Sequence, residues 1–177
     1  MRAIFALSFV LAACSTEAER EVVRMNRSTE SALNDMAECS TRAEASAAFG
    51  ALRAKLPPVD GTPPSATLLA DRARPTAEEA RLLVELHTGY ITPCRRLVVE
   101  RLGTINPAFA EVAGRNFAEA DAEFTRLVRR EESWGDYAAA SVRRKQAFAL
   151  AFSEAGERIN RGLAQSHAVE LQQRLSP

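Results

Sequence analysis

The thiols Cys14, Cys39 and Cys94 and the imidazoles His87 and His167 are the side chains with the widest chemical repertoire in this sequence. Their spacing matches no zinc or redox motif: there is no C-x-x-C, and no histidine lies close to a cysteine. H-E-x-x-H, G-x-S-x-G and the haem-attaching C-x-x-C-H are also missing. His167 and Glu170 stand three apart, so on a helix both could reach one metal ion. A structural site takes four ligands, however, and no second pair accompanies them. They read as a surface pair on a terminal helix. His87 follows the apolar stripe Leu82, Leu83, Leu86 at its edge and reads as a partly buried helix residue. The competing reading, an acid–base enzyme, requires His87 to sit in a cleft facing Asp or Glu.

The arginine doublets Arg95-Arg96, Arg129-Arg130 and Arg143-Arg144 have the donors to hold phosphate head groups or peptidoglycan carboxylates. Glu100, Glu131 and Glu132 compensate them locally, which favours solvated helix faces. Trp134 and Tyr137 could form a recognition patch, although closing the end of a core is the commoner use of such a pair. No catalytic, cofactor-binding or metal-binding residue is assigned, and the expectation is a protein that is not an enzyme.

The N-terminus is more informative. Arg2 precedes an apolar run from Ala3 to Val10, broken only by Ser8 and too short to span a bilayer. Leu11-Ala12-Ala13-Cys14 follows. That order resembles the signal peptide and lipobox of bacterial lipoproteins. The resemblance implies cleavage before Cys14, a diacylglycerol on its thiol and an acylated new amino group. It makes residues 1–13 a signal peptide and residues 14–177 one periplasmic domain, held to the membrane by lipid. Ser15, where Asp would signal inner-membrane retention in enteric lipoproteins, implies the outer membrane. The alternative is an ordinary signal peptide with Cys14 as a bystander.

Removal of residues 1–13 leaves 164, a normal size for one core. It also leaves 22 basic groups against 23 acidic ones, a balance that argues against a nucleic-acid binder. With Cys14 lipidated, Cys39 and Cys94 remain as an even pair in a compartment where disulfides persist. A bond across their 55-residue separation would restrict the unfolded chain by roughly 4 kcal/mol in the loop-closure account. Two free buried thiols are the alternative.

The mature chain reads as all-α: an irregular bundle of about six helices ending in a long antiparallel hairpin. Thr16 with Glu19, Thr41 with Glu44, Thr76 with Glu79 and Ser133 with Asp136 have the spacing of helix-starting capping boxes. Thr92-Pro93 and Asn106-Pro107 read as an N-cap followed by proline at the first helical position. The first helix carries Val22, Met25, Ala32, Leu33 and Met36 in register with Cys39. A shorter second one carries Ala45, Ala48, Phe49, Leu52 and Leu56 and stops at Pro57-Pro58. Residues 57–75 form the one irregular crossover, within which Ser65 could cap a single turn through Leu68 and Leu69. The helix after Thr76 carries Leu82, Leu83, Leu86 and Tyr90, and the one after Pro93 carries Cys94, Leu97, Val98 and Leu102.

The last two helices run from Asn106 to about Arg130 and from Trp134 to about Leu175. Their seams are Phe109, Val112, Ala113, Phe117, Ala120, Phe124, Leu127 and Val128, and Tyr137, Ser141, Phe148, Phe152, Ala155, Ile159 and Leu163. The Trp134-Gly135-Asp136-Tyr137 turn and the Pro93-Cys94 helix start, across residues 39–150, loosely resemble small exported helical proteins of Gram-negative bacteria. That likeness implies no activity.

The function expected is a non-catalytic binding or organising role at the cell envelope, with an envelope protein as a candidate partner. One alternative is an inhibitor of an envelope-directed enzyme, which would use the crossover as a projecting loop. The other is an enzyme built on His87.

Overall fold

The computed structural model describes residues 17–59 and 62–176. Cys14, Thr16 and the proposed signal peptide lie outside the described residues. Seven α-helices occur among them, without strands: α1 Glu17–Glu44, α2 Ala47–Leu52, α3 Ala66–Leu69, α4 Ala77–Leu86, α5 Thr92–Ile105, α6 Pro107–Val128 and α7 Trp134–Leu175. The chain is an all-α bundle in which α6 and α7 form the expected antiparallel hairpin. At about 1.5 Å per residue, α7 is roughly 30 Å longer than α6, and its last turns run beside the start of α1 at Val22 and Val23.

Three of the expected caps form. Thr76 and Glu79 make a reciprocal capping box at α4, and the Asn106 carboxamide accepts the Ala108 N–H at 2.9 Å in front of Pro107. Ser133 accepts the Asp136 N–H at 3.2 Å to open α7. Ser65 likewise caps the single turn of α3.

Two expected helix starts do not form. Thr41 begins no helix; its hydroxyl bonds back to the Ala37 carbonyl at 3.1 Å and α1 runs on to Glu44. The apolar seam explains this, because Met36, Cys39 and Ala43 continue past Thr41 into packed surroundings. Burial of that seam outweighs a local cap. α2 starts instead at Ser46, which accepts the Phe49 N–H. Thr92 is not an N-cap either: it is helical, and α4 passes into α5 through a π-helical turn, His87–Ile91. Within a helix, Pro93 removes a donor and its ring collides with the carbonyl four residues back. The widened turn relieves that crowding, with the Thr92 N–H reaching the His87 carbonyl five residues earlier. After this turn Val98 and Leu102 are buried, whereas Leu97 faces outward at 37% exposure.

The core has three centres. One joins Met25 and Ala32 of α1 to Val98, Leu102, Phe109, Val112 and Ala155. A second surrounds Trp134, wholly buried among Leu52, Leu68, Leu83 and Leu127. Trp134 thus closes one end of the bundle. The third and smallest joins Ala48 and Phe49 of α2 to Leu86 of α4. The crossover is strapped across the first turn of α7: the Asp71 carbonyl accepts the Gly135 N–H at 2.8 Å, and the Ala73 carbonyl accepts the Trp134 N–H at 3.0 Å. These are donors that a helix start leaves without intrahelical partners. A Cβ on Gly135 would lie 2.6 Å from the Leu69 oxygen and 2.7 Å from the Asp71 oxygen, so only glycine admits the strap.

Candidate functional site

Where the core centres meet lies a cavity of about 330 Å³. Its walls come from Met36, Cys39 and Ala43 of α1, Phe49 of α2, and Leu86, Tyr90 and Ile91 around the π turn. Phe117 and Phe148 of the hairpin face these across the space, and residues 56–59 form a rim. Cys39 and Cys94 are joined on this wall, with their Cα atoms 5.7 Å apart. The bond ties the second half of α1 to the start of α5, the helix packing that the sequence required of it.

The polar groups of the cavity come chiefly from α5, α6 and α7: Arg95, Asn116, Tyr137, Ser141, Arg144 and Lys145, with Ser40 of α1 beside them. No Asp or Glu side chain lines it. The Arg144 Nε donates to Glu123 at 2.9 Å, and both side chains are nearly buried, at 12% and 13% exposure. Arg95 pairs with Asp121 and lies over the Phe117 ring. Burial pulls the Arg95 guanidinium down from its ordinary value, opposed chiefly by Asp121. Burial also pushes the Tyr137 phenol up, against the pull of Arg144 and Arg95, so at neutral pH it is a protonated donor. The Asn116 Oδ1 is buried without a hydrogen-bond partner among the described residues. At the rim, Lys145 Nζ donates to the Pro58 carbonyl at 2.8 Å and ties α7 to the chain after α2.

Arg95 and Arg144 depart from the expectation for the doublets. Each doublet of α5 and α7 turns one arginine inward and leaves the other, Arg96 or Arg143, exposed. The signal was present in the spacing. Arg95 falls three residues before Val98, and Arg144 lies between Ser141 and Phe148 on the α7 seam. Arg129 and Arg130 are exposed, as a solvated face requires.

His87 is held outside the cavity lining. Its Nε2 lies 2.9 Å from the Asp121 Oδ1, its Nδ1 lies 3.2 Å from the Thr92 hydroxyl, and its ring stacks on Phe124 at 4.2 Å. It therefore faces a carboxylate, as an acid–base role would need, but both ring nitrogens have protein partners and the cavity does not open onto it. His167 and Glu170 are not gathered with further ligands; among the described residues no group of three or more His, Cys, Asp or Glu could hold a metal ion.

Trp134 and Tyr137 both belong to the core at the closed end of the bundle, where Tyr137 packs against the cluster that holds Trp134 and also lines the cavity. Among the described residues no helix is long and apolar enough to cross a membrane. No protein-family model matches the chain, and no curated protein or solved structure is detectably similar to it.

Proposed function

We propose that this chain is a lipid-anchored cell-envelope protein with a non-catalytic binding role, carried on acylated Cys14 and facing the periplasm, at the outer membrane by the analogy of Ser15. The observation that carries the reading is the N-terminal order of Arg2, a short apolar run and Leu11-Ala12-Ala13-Cys14. The approach of Cys39 and Cys94 within bonding reach supports it, because such a pair suits an oxidising compartment. The cavity supports binding: it is apolar with a few converging polar groups, as ligand sites generally are. An inhibitor role would rest on residues 57–75, and their strapping onto α7 favours the binding reading over it.

The test is Cys14→Ser followed by cell fractionation and mass spectrometry. The variant is expected to remain an uncleaved precursor or to leave the membrane fraction. A membrane-bound wild-type protein with intact Met1 or an unmodified Cys14 would overturn the anchor.

A further inference from the structure

We propose that the cavity between α1, the π turn and the α6–α7 hairpin binds a single-chain amphiphilic carboxylate, with its tail among Phe49, Ile91, Phe117 and Phe148 and its carboxylate at Arg95, Arg144 and Tyr137. The proposal deepens the binding role above by giving that role a ligand class.

Size comes first. At about 330 Å³ the cavity stands at the small end of ligand pockets, which run from roughly 300 to 1,000 Å³. That volume suits one medium-length chain and excludes a two-chain phospholipid. Polarity comes second. The walls supplied by α1, α2 and the π turn are chiefly apolar, whereas α5, α6 and α7 supply arginine, carboxamide, phenol and hydroxyl groups. A ligand that satisfies both must itself have an apolar part and a polar end.

Charge fixes the sign of that end. Three cations and no acid line the cavity. Asp121 and Glu123 hold Arg95 and Arg144 in place without lining it. A guanidinium carries five N–H donors, and the hydrogen bond to Glu123 engages Arg144 through Nε, so donors remain for a carboxylate.

The test uses the protein as purified from cells, in phospholipid nanodiscs, and a decanoate bearing a diazirine at its tail end. After irradiation, peptide mapping is expected to place the label on segments containing Phe49, Ile91, Phe117 or Phe148. Excess decanoate should remove it, 1-decanol should compete at least tenfold more weakly, and acetate should not compete. Ala43→Phe, which narrows the apolar wall, should lower labelling more than tenfold while helical circular dichroism is retained. Labelling confined to the exposed apolar residues Val23 and Leu171, or equal competition by decanol, would overturn the proposal. These outcomes are independent of the anchor: cavity labelling on a chain whose Cys14 proves unmodified would refute the anchor and leave the ligand standing.

Discussion

At the scale of single residues, Gly135 has the sharpest constraint. Its Cα sits where two carbonyl oxygens of the crossover reach the start of α7, and a methyl group there would meet them at 2.6 and 2.7 Å. Both are backbone atoms, and the Asp71 oxygen is already fixed by the hydrogen bond it accepts from the Gly135 N–H, so they cannot swing aside as a flexible side chain would. Gly135→Ala should cost about 2 kcal/mol or more, within the range for overpacking, measured by urea denaturation. Unchanged stability would mean that the strap is not held as described. Arg130 presents the opposite case. It has φ 63°, in the left-handed region, after α6. The Arg130 N–H bonds to the Leu127 carbonyl and the Glu131 N–H to the Arg126 carbonyl, the Schellman arrangement that favours glycine at this position. Arg130→Gly is expected to stabilise the protein by about 0.5–1 kcal/mol, an increase that the same denaturation assay would read.

Between elements, the bond from α1 to α5 decides how firmly the cavity wall is held. The 55-residue separation of Cys39 and Cys94 gives roughly 4 kcal/mol of restriction on the unfolded chain. For a domain of this size a kcal/mol corresponds to about 2–4 °C in Tm. Reduction should therefore lower Tm by about 10 °C and leave the helical circular dichroism largely intact, since the apolar seams of the core do not depend on the bond. A Tm that dithiothreitol leaves unmoved would indicate that the thiols are not joined in solution. The π turn next to Cys94 is an element of the same wall. It converts two helices expected from Thr92-Pro93 into one rod with a shifted register, which sends Leu97 outward and Arg95 inward.

On the scale of the whole molecule, the proposed anchor at Cys14 would be closely coupled to the bundle. Only Ser15 and Thr16 separate Cys14 from the first described residue of α1, and two extended residues reach about 7 Å. An acylated Cys14 would therefore hold the start of α1 against the bilayer, with the apolar trough of Val22, Val23, Leu163 and Leu171 nearby. Protease treatment of the membrane-bound protein should leave residues 15–30 intact, and extensive cleavage there would contradict close apposition.

The sequence by itself determined the helical class, the hairpin, the strap's single turn and three of the five capping boxes and proline caps that fall wholly within the described residues and that short-range spacing can specify. Seam periodicity and cap hydrogen bonds are local, reaching three or four residues, so they survive translation into a fold. What only the tertiary structure decided is long-range. Thr41 lost its cap to the burial of Met36, Cys39 and Ala43, and Thr92 lost its cap to a widened turn around Pro93. Arg95 and Arg144, each beside an exposed arginine, became cavity residues because Asp121 and Glu123 of α6 approach from the neighbouring helix. A buried arginine is stable only when such a partner arrives, and its arrival depends on how the helices pack.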